Sequence, residues 1–514
     1  MTVQPAFADF QPVYAAGKPQ VAWACLVNDL ETPVSAMLKL AHDRAYSFLL
    51  ESVEGGEKLG RYSLIGLHPD LIWRCRGTTA EINRDALKDR GRFEPQAEPP
   101  LVALRALLEE CRIEMPEALP PMSAGLFGYL GYDMVRLMER LPDSTPDELG
   151  IPDAVMMRPT VMVIFDNVKS MVTVVTPVRP LPHISAEVAY EQAARRLDEV
   201  LAGLDSPLRN SWTEGGRGAP PAKAPVLAPV SNTTQDEYHT IVEKAKDYIR
   251  AGDIFQVVPS QRFSLPFELP SIALYRWLRR LNPSPFLFYL NFDGFSLIGS
   301  SPEILVRLRD GKVTIRPIAG TRRRGKTAAE DRALEAELLA DPKERAEHLM
   351  LLDLGRNDVG RVAKVGTIKV TEQFVVELYS HVMHIVSNVE GEIDAKRFDA
   401  LDALAAGFPA GTVSGAPKVR AMEIINELEK TRRSFYGGCV GYFSANGAMD
   451  TCIALRTGLV KDGMLHVQAG GGVVADSDPE AEYQETVNKA KALIRAAEEA
   501  MRFNGGGAAS QLCS

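Results

Sequence analysis

Apolar positions along this chain recur with two periods, and where the period changes the chain passes between strand and helix. Runs rich in β-branched and aromatic residues fall at 46–53, 61–67 and 71–75, separated by glycines, and again at 155–164 and 171–175 around Asp166-Asn167. Bounded by turn formers, such runs read as strands, the last two as a hairpin. Helical periodicity appears at 186–201. It returns where Tyr238, Ile241, Val242, Ala245, Tyr248 and Ile249 fall at i, i+3, i+4 and i+7 spacing, with Gly252 as the stop. Two further groups of strands carry turns at Asp293-Gly294, Asp310-Gly311, Asn446-Gly447 and Asp462-Gly463, a pairing suited to type I′ turns. Between these groups the pattern predicts helices near 328–353, 398–406 and 417–430. A last helix is expected over 479–501, with Asp478 as N-cap and Pro479 in the first turn. Strand and helix do not alternate regularly, so a doubly wound nucleotide fold is disfavoured. The expected class is α+β: antiparallel β-sheets packed as a sandwich with helices on the outside.

One segment breaks the pattern. Residues 205–231 are rich in Pro, Gly and Ser and present no periodic apolar face, so they read as a linker. The chain divides into an N-terminal region 1–204, this linker, a region 232–502 and a flexible tail 503–514. Its formal charge of -9 offers no basic face for nucleic acid or an anionic membrane. No apolar run approaches the roughly 18 residues of a membrane span, and no secretory signal opens the sequence. Six cysteines form no disulfide framework, and neither C-x-x-C nor H-E-x-x-H occurs, so a zinc site is not expected. These features predict a cytoplasmic protein.

Acidic and glycine-rich segments carry the candidate chemistry. Glu344, Glu347 and His348 crowd one helical turn, and Glu482 and Glu485 stand three apart with Lys489 four beyond. Such faces are either solvated, with Glu485–Lys489 as a surface pair, or one carboxylate from each helix holds Mg²⁺, which wants oxygen ligands. The spacing alone does not decide. Gly470-Gly471-Gly472 follows a strand, and Gly411 to Lys418 precedes a helix. Neither fits a phosphate loop, but the nearby cations Arg456, Lys418 and Lys489 suit carboxylate groups on a small ligand. Arg322-Arg323-Arg324 reads as a solvated charge cluster. His381 and His384 share an apolar strand-like run; three residues apart, they point to opposite faces.

Taken together, Q-V-V-P-S-Q-R-F, S-P-E, R-P-I-A-G-T-R, A-E-H-L-M-L-L-D-L-G-R-N-D, F-P-A-G-T-V-S-G-A-P-K, D-T-C-I-A-L-R and Q-A-G-G-G-V-V-A-D-S, closed by E-T-V-N-K, stand in the order of the chorismate-utilising enzymes. The resemblance runs from Tyr238 to Ala497 almost continuously. Through L-L-E-S and G-R-Y-S the N-terminal half also resembles the anthranilate synthase large subunit. Isochorismate- and salicylate-forming relatives carry a water-activating lysine where this chain has Gln256, and glutamine is no base near neutral pH. Aminodeoxychorismate synthases carry a covalent lysine where this chain has Ala319, which is no nucleophile.

The resemblance implies Mg²⁺-dependent amination of chorismate with ammonia and loss of pyruvate. It assigns Mg²⁺ to Glu347 and Glu485, the acid that protonates the departing hydroxyl to Glu303, and pyruvate elimination to His384, with Thr412 and Gln256 completing the catalytic set. Gly320, Thr321, Tyr436, Arg456, Gly470, Gly471, Gly472 and Lys489 match chorismate-binding positions. An L-tryptophan feedback site is expected at Glu51, Ser52, Pro285, Phe286 and Leu287. There Glu51 or Ser52 would meet the amino group, and Phe286-Leu287 stands where many relatives carry Tyr-Met. Cys439 lies in a G-x-C-x-G pattern, but no histidine is followed two residues on by glutamate, and no stretch is left for a second catalytic domain. Ammonia is therefore expected from a glutamine amidotransferase subunit, in a hetero-oligomer with two copies of each subunit. An aminodeoxychorismate synthase component and a non-catalytic tryptophan-binding regulator are the competing readings.

Overall fold

The computed structural model describes residues 2–41, 44–54, 58–142, 145–208, 228–379 and 382–504. Most of the expected linker (209–227), the end of the tail (505–514) and His381 lie outside the described residues.

Among the described residues, 21 strands join into one continuous antiparallel network, and a two-stranded ladder, Gln256–Val257 with Gly415–Ala416, stands apart. The spine of the network is the long strand Lys58–Arg76 paired with Ala154–Asp166. The sequence pattern predicts two strands here, at 61–67 and 71–75. The chain instead kinks without breaking, at His68 (φ 52°) and Pro69, where the register shifts. A bulge tolerates a residue with no N–H to give to the ladder.

From this spine the network folds back into two legs. One leg runs through Ser47–Glu54, Phe286–Asn291, Phe295–Ser301, Thr457–Lys461, Met464–Gly470 and Ser260–Pro266. The other runs through Gly125–Leu130, Cys439–Ser444, Met449–Ile453, Ile304–Arg309, Lys312–Ile315 and Val382–Glu392, the last flanked by Ile318–Arg323 and Lys369–Leu378. The legs face one another across a core holding Phe48, Phe288 and Leu297 from one and Phe127, Val440 and Tyr442 from the other. Phe48 stacks on Phe127 at 4.8 Å between centroids. A side chain of this size contributes about 1.5–3 kcal/mol when fully buried. Helices cover the outer faces: Pro33–Ala41, Ala186–Asp205, Ser271–Leu281 and Pro479–Asn504 on one leg, Pro100–Glu110, Pro342–Gly360 and Ala400–Gly407 on the other. The expected α+β sandwich with outer helices is therefore the observed architecture. Strands from both sides of the 205–231 segment interleave in it, Leu287 lying opposite Glu51.

Two local departures have simple causes. Asp310-Gly311 and Asp462-Gly463 close two-residue loops with both residues left-handed, as type I′ requires. At Asp293-Gly294 and Asn446-Gly447 only the glycine is left-handed (φ 82° and 93°), because three and four residues separate the strands there. The helix expected over 328–353 is two helices, Ala328–Ala340 and Pro342–Gly360. Pro342 disfavours helical backbone at Asp341, which instead caps the second helix by accepting from the N–H groups of Lys343 and Glu344 at 2.9 and 3.3 Å.

Candidate functional site

The two acidic helices converge beside the glycine-rich strand end. Helix Pro342–Gly360 brings Glu344 and Glu347. Helix Pro479–Asn504, its start capped by Asp478 accepting from Ala481 N–H at 2.9 Å, brings Glu482, Glu485 and Lys489. Successive glycines admit them. A Cβ at Gly470 would stand 2.9 Å from both the Pro259 carbonyl and the Tyr436 hydroxyl, one at Gly471 2.9 Å from Glu482 Oε2, and one at Gly472 2.8 Å from Gln256 Nε2. Only glycine lets the backbone pass so near polar atoms. Gln256 Nε2 donates to Glu347 Oε1 at 3.0 Å, and Lys489 Nζ donates to the Gly470 carbonyl at 2.9 Å and pairs with Glu485 at 2.5 Å.

The electrostatics of this cluster favour a cation. Burial, with the charges of Glu344 and Glu485 nearby, raises Glu347 above the usual carboxylate range. Burial pushes Glu482 up to about 7, opposed by a hydrogen bond from Ser477 and reinforced by Glu485 and Glu347. Glu482 Oε2 and Gln256 Oε1 are buried without a partner among the described residues. Oxygen-only donors, crowded negative charge and unsatisfied lone pairs fit a hard divalent ion such as Mg²⁺. Among the described residues no three acidic, His or Cys side chains form a closed metal cluster; Mg²⁺ commonly takes only one or two protein carboxylates. Glu482 is the residue the sequence reading passed over in favour of Glu485, whose side chain is 48% exposed. Its placement under Gly471 is a tertiary fact that spacing alone does not carry.

Glu303 lies between strands Phe295–Ser301 and Ile304–Arg309, its side chain buried. Burial pushes its carboxyl up to about 8, against hydrogen bonds from Thr412 and from the Ile318 N–H. Thr412 Oγ1 donates to both carboxyl oxygens at 3.1 Å. His384 is paired in register with Thr321: its Nδ1 stands 3.0 Å from Thr321 Oγ1 and 3.3 Å from the Gly320 carbonyl. Burial, with the nearby Arg456 charge, lowers it to about 4, so the imidazole is neutral at physiological pH. Tyr379, which the sequence reading did not name, packs its ring edge-on at 5.4 Å.

Arg456 holds a left-handed backbone (φ 50°), and burial lowers its pKa, opposed by Tyr436 and Glu485. Tyr436 is buried and pushed up to about 12 by desolvation, so its hydroxyl keeps its proton. Glu347, Glu485, Glu303, His384, Thr412, Gln256, Gly320, Thr321, Tyr436, Arg456, Lys489 and the glycines thus share one region. Two expectations are corrected. Lys418 does not face it: the ammonium is buried against Asp358 at 2.9 Å, an ion pair joining two helices. Arg322-Arg323-Arg324 is not simply solvated. Arg322 pairs with Glu337, Asp341 and Glu344, and Arg324 with Asp331, pinning the two helices to their strand.

The expected regulatory residues line a different cavity, about 870 Å³, between the two legs. Ser52, Pro285, Phe286 and Leu287 form one wall, and Val440, Tyr442, Asp450 and Cys452 another. Glu51 borders it, but its buried carboxylate accepts from Tyr275 and from Arg279 at 2.7 and 3.1 Å, so it is committed to the protein. Asp450 differs: Arg307 and Arg309 reach its Oδ2, while its buried Oδ1 has no partner among the described residues. Pro302 and Ile304, on either side of Glu303, and Ile318 and Tyr379 also line the cavity.

A family model described as chorismate binding enzyme matches residues 54–495. The chain is 62% identical over 503 residues to the anthranilate synthase component 1 of Cereibacter sphaeroides, covering 97% of this chain and 98% of that protein. It is 48% identical over 493 residues to that of Pseudomonas putida, covering 95% and 97%. A crystal structure of anthranilate synthase component I from Streptococcus pneumoniae TIGR4 matches with a TM-score of 0.73 at 34% identity, over 91% of this chain and 98% of that one. A menaquinone-specific isochorismate synthase from Escherichia coli shares the fold, with a TM-score of 0.68 at 19% identity, over 96% and 99% of the two chains.

Proposed function

The chain belongs to the chorismate-binding enzymes, and from that membership and its site we propose that it is the chorismate-converting component of an anthranilate synthase. The reaction joins chorismate and ammonia and releases anthranilate, pyruvate and water. A C–N bond forms at the ring carbon beside the carboxylate-bearing one, the ring double bonds shift, and the bond to the ring hydroxyl breaks as that oxygen takes a proton. A ring proton and the enolpyruvyl group then leave, and the ring becomes aromatic.

The observation that carries this reading is the buried Glu303 carboxyl, pushed up to about 8 and held by Thr412. It is protonated at neutral pH and so has the proton a departing hydroxyl requires. Neutral His384 has a lone pair for the ring proton. Arg456 offers a planar fork to a substrate carboxylate, and the Tyr436 hydroxyl adds a donor. Glu347 and Glu485, with Glu482 beside them, would hold Mg²⁺ as one or two direct carboxylate ligands, and the ion when bound would supply the charge that anchors and polarises the ring carboxylate. Gln256 is spent on Glu347 and Ala319 is inert, which supports ammonia over water or a protein amine as nucleophile.

The source of ammonia follows from what the chain lacks. Burial pushes the Cys439 thiol up to about 12, which leaves it inert. The relatives are named as component 1, which supports a separate amidotransferase component as partner. The unpaired cysteines among the described residues suit a reducing cytoplasm. With Mg²⁺ and chorismate, concentrated ammonium near pH 8, where free ammonia and protonated Glu303 coexist, yields fluorescent anthranilate from the purified chain, and glutamine alone yields none. A dark ammonium reaction overturns the function; glutamine-driven turnover overturns the need for a partner.

The second cavity supports feedback by L-tryptophan. Pro285, Phe286, Leu287 and Val440 offer apolar walls to an indole, and the unpartnered Asp450 Oδ1 offers an acceptor to the amino group, a part Glu51 cannot play while bound to Arg279. A ligand there touches the residues on both sides of Glu303, so it can favour one arrangement of the acid over another. Ser52→Phe fills the cavity. It raises the tryptophan concentration for half-inhibition about tenfold or more, with uninhibited kcat within about twofold. Unaltered inhibition in a titration of this variant removes the assignment.

A further inference from the structure

The reacting side chains stand on segments far apart in sequence, and one buried cation ties them together. Arg433 is 1% exposed and, among the described residues, is the one charged side chain in the group of largest fully buried side chains. Its guanidinium donates through Nη1 to the Val413 carbonyl at 2.6 Å and through Nη2 to the Val258 carbonyl at 2.5 Å. Nε and Nη2 engage the Glu429 carboxylate at 2.6–3.2 Å. Each acceptor belongs to a functional segment. Val413 follows Thr412, which bonds both oxygens of Glu303. Val258 lies two residues beyond Gln256, which bonds Glu347. Val258 N–H also donates to the Ser414 carbonyl at 3.0 Å, so segments 256–258, 412–414 and 433 close a ring.

The remaining contacts extend that ring to the substrate side. Glu429 Oε1 accepts from the N–H and hydroxyl of Ser260 at 2.8 Å each. Pro259, between them, accepts from Gly471 N–H at 3.2 Å and from the Tyr238 hydroxyl at 3.1 Å. The guanidinium carbon stands 5.5 Å from the Tyr436 ring centroid and 4.8 Å from that of Tyr132. Burying an ion pair costs several kcal/mol of desolvation per ion, and an apolar pair of similar volume often serves stability equally well. Holding two backbone carbonyls and a carboxylate at fixed angles is what a rigid five-donor fork does and an aliphatic or ammonium side chain does not.

We propose that Arg433, braced by Glu429, is a positioning residue of the reaction, holding the Thr412–Glu303 acid and the Gln256–Glu347 carboxylate in register across the substrate. This rests on the reading of Thr412, Glu303 and Gln256 as machinery of that reaction. The test compares Arg433→Lys, Thr412→Val and the double variant, with the E429M/R433M pair replacing Arg433→Lys where the lysine leaves the fold unstable. Circular dichroism and the unfolding midpoint establish folding; kcat and KM for chorismate are read with ammonium as nucleophile. R433K, or the apolar pair, lowers kcat about 30-fold or more with KM within about threefold. Thr412→Val lowers kcat about tenfold in the parent and less than about threefold in the R433K background, since the hydroxyl it removes is already misplaced. Folded variants with parental kcat, or a Thr412→Val effect equal in both backgrounds, overturn the positioning role. A Thr412→Val variant that is fully active in the parent instead discards the underlying acid assignment.

Discussion

Glu303→Gln lowers kcat by about 10²–10⁴-fold while chorismate still binds. The amide keeps the volume and hydrogen-bonding reach of the carboxyl but has no proton to release, and general acid catalysis is commonly worth that range. Because burial pushes the Glu303 carboxyl up to about 8, the parent enzyme loses activity as pH rises through that value and the acid ionises. A second consequence separates this residue from one that is merely buried. Its folded pKa lies above the unfolded value near 4.3, so the stability it contributes is fully present below the unfolded pKa. That stability is lost as pH rises to about 8. Glu303→Gln does not titrate, so its unfolding free energy exceeds the parent's by a margin that grows between about pH 5 and 8, on the order of a few kcal/mol at the upper end. A variant inactive but more stable at pH 8 is the expected result. One that keeps parental kcat, or whose stability tracks the parent at every pH, contradicts the assignment of Glu303 as the acid.

How far the site is legible in the sequence depends on how local its causes are. Glycine at 470–472 and the i, i+3 acidic pairs are local, and they point to a carboxylate-rich, close-backbone site before any coordinates. The elevated pKa of Glu303 is not local: burial raises it against hydrogen bonds from Thr412 and the Ile318 N–H, and its own neighbours in sequence, Pro302 and Ile304, say nothing of that burial. The same holds for Lys418. Its position at a helix start suggests an anion site, yet Asp358, 60 residues away, takes its charge. The environment of Glu51 is hidden for a related reason, since a strand pattern shows that it alternates with Ser52 but not that Arg279 waits on its side of the sheet. The helix break at Asp341 was within reach, because Asp-Pro is both a stop and a start signal. Arg433 was not. Nothing in R-R-S-F-Y distinguishes the buried arginine from its neighbour until two carbonyl-bearing segments and the Glu429 carboxylate are seen to meet at one of them.

Glu347→Gln lowers Mg²⁺-dependent turnover by about 10³-fold, and Glu485→Gln has an effect of the same kind. Loss of a charge that stabilises the developing transition state costs several kcal/mol, and each 1.36 kcal/mol is tenfold in rate. The cluster also makes a prediction that needs no turnover. Glu347 is raised by burial and by neighbouring carboxylates, and Glu482 is pushed up to about 7, so near neutral pH Glu482 is protonated in about half of the chains. A divalent cation favours the ionised forms, drops both pKa values and displaces those protons. Adding Mg²⁺ to the purified chain at pH 7 in weak buffer with an indicator dye therefore releases about half a proton or more per chain. The release shrinks above about pH 8.5, where Glu482 is already ionised. Glu482→Gln removes most of it, whereas substitution of the half-exposed Glu485, paired with Lys489, weakens Mg²⁺ binding without abolishing proton release at saturating metal. Mg²⁺ binding with no change in proton count at pH 7 means that Glu482 does not face the metal, and the cation then has to be sought among other oxygens of the same region.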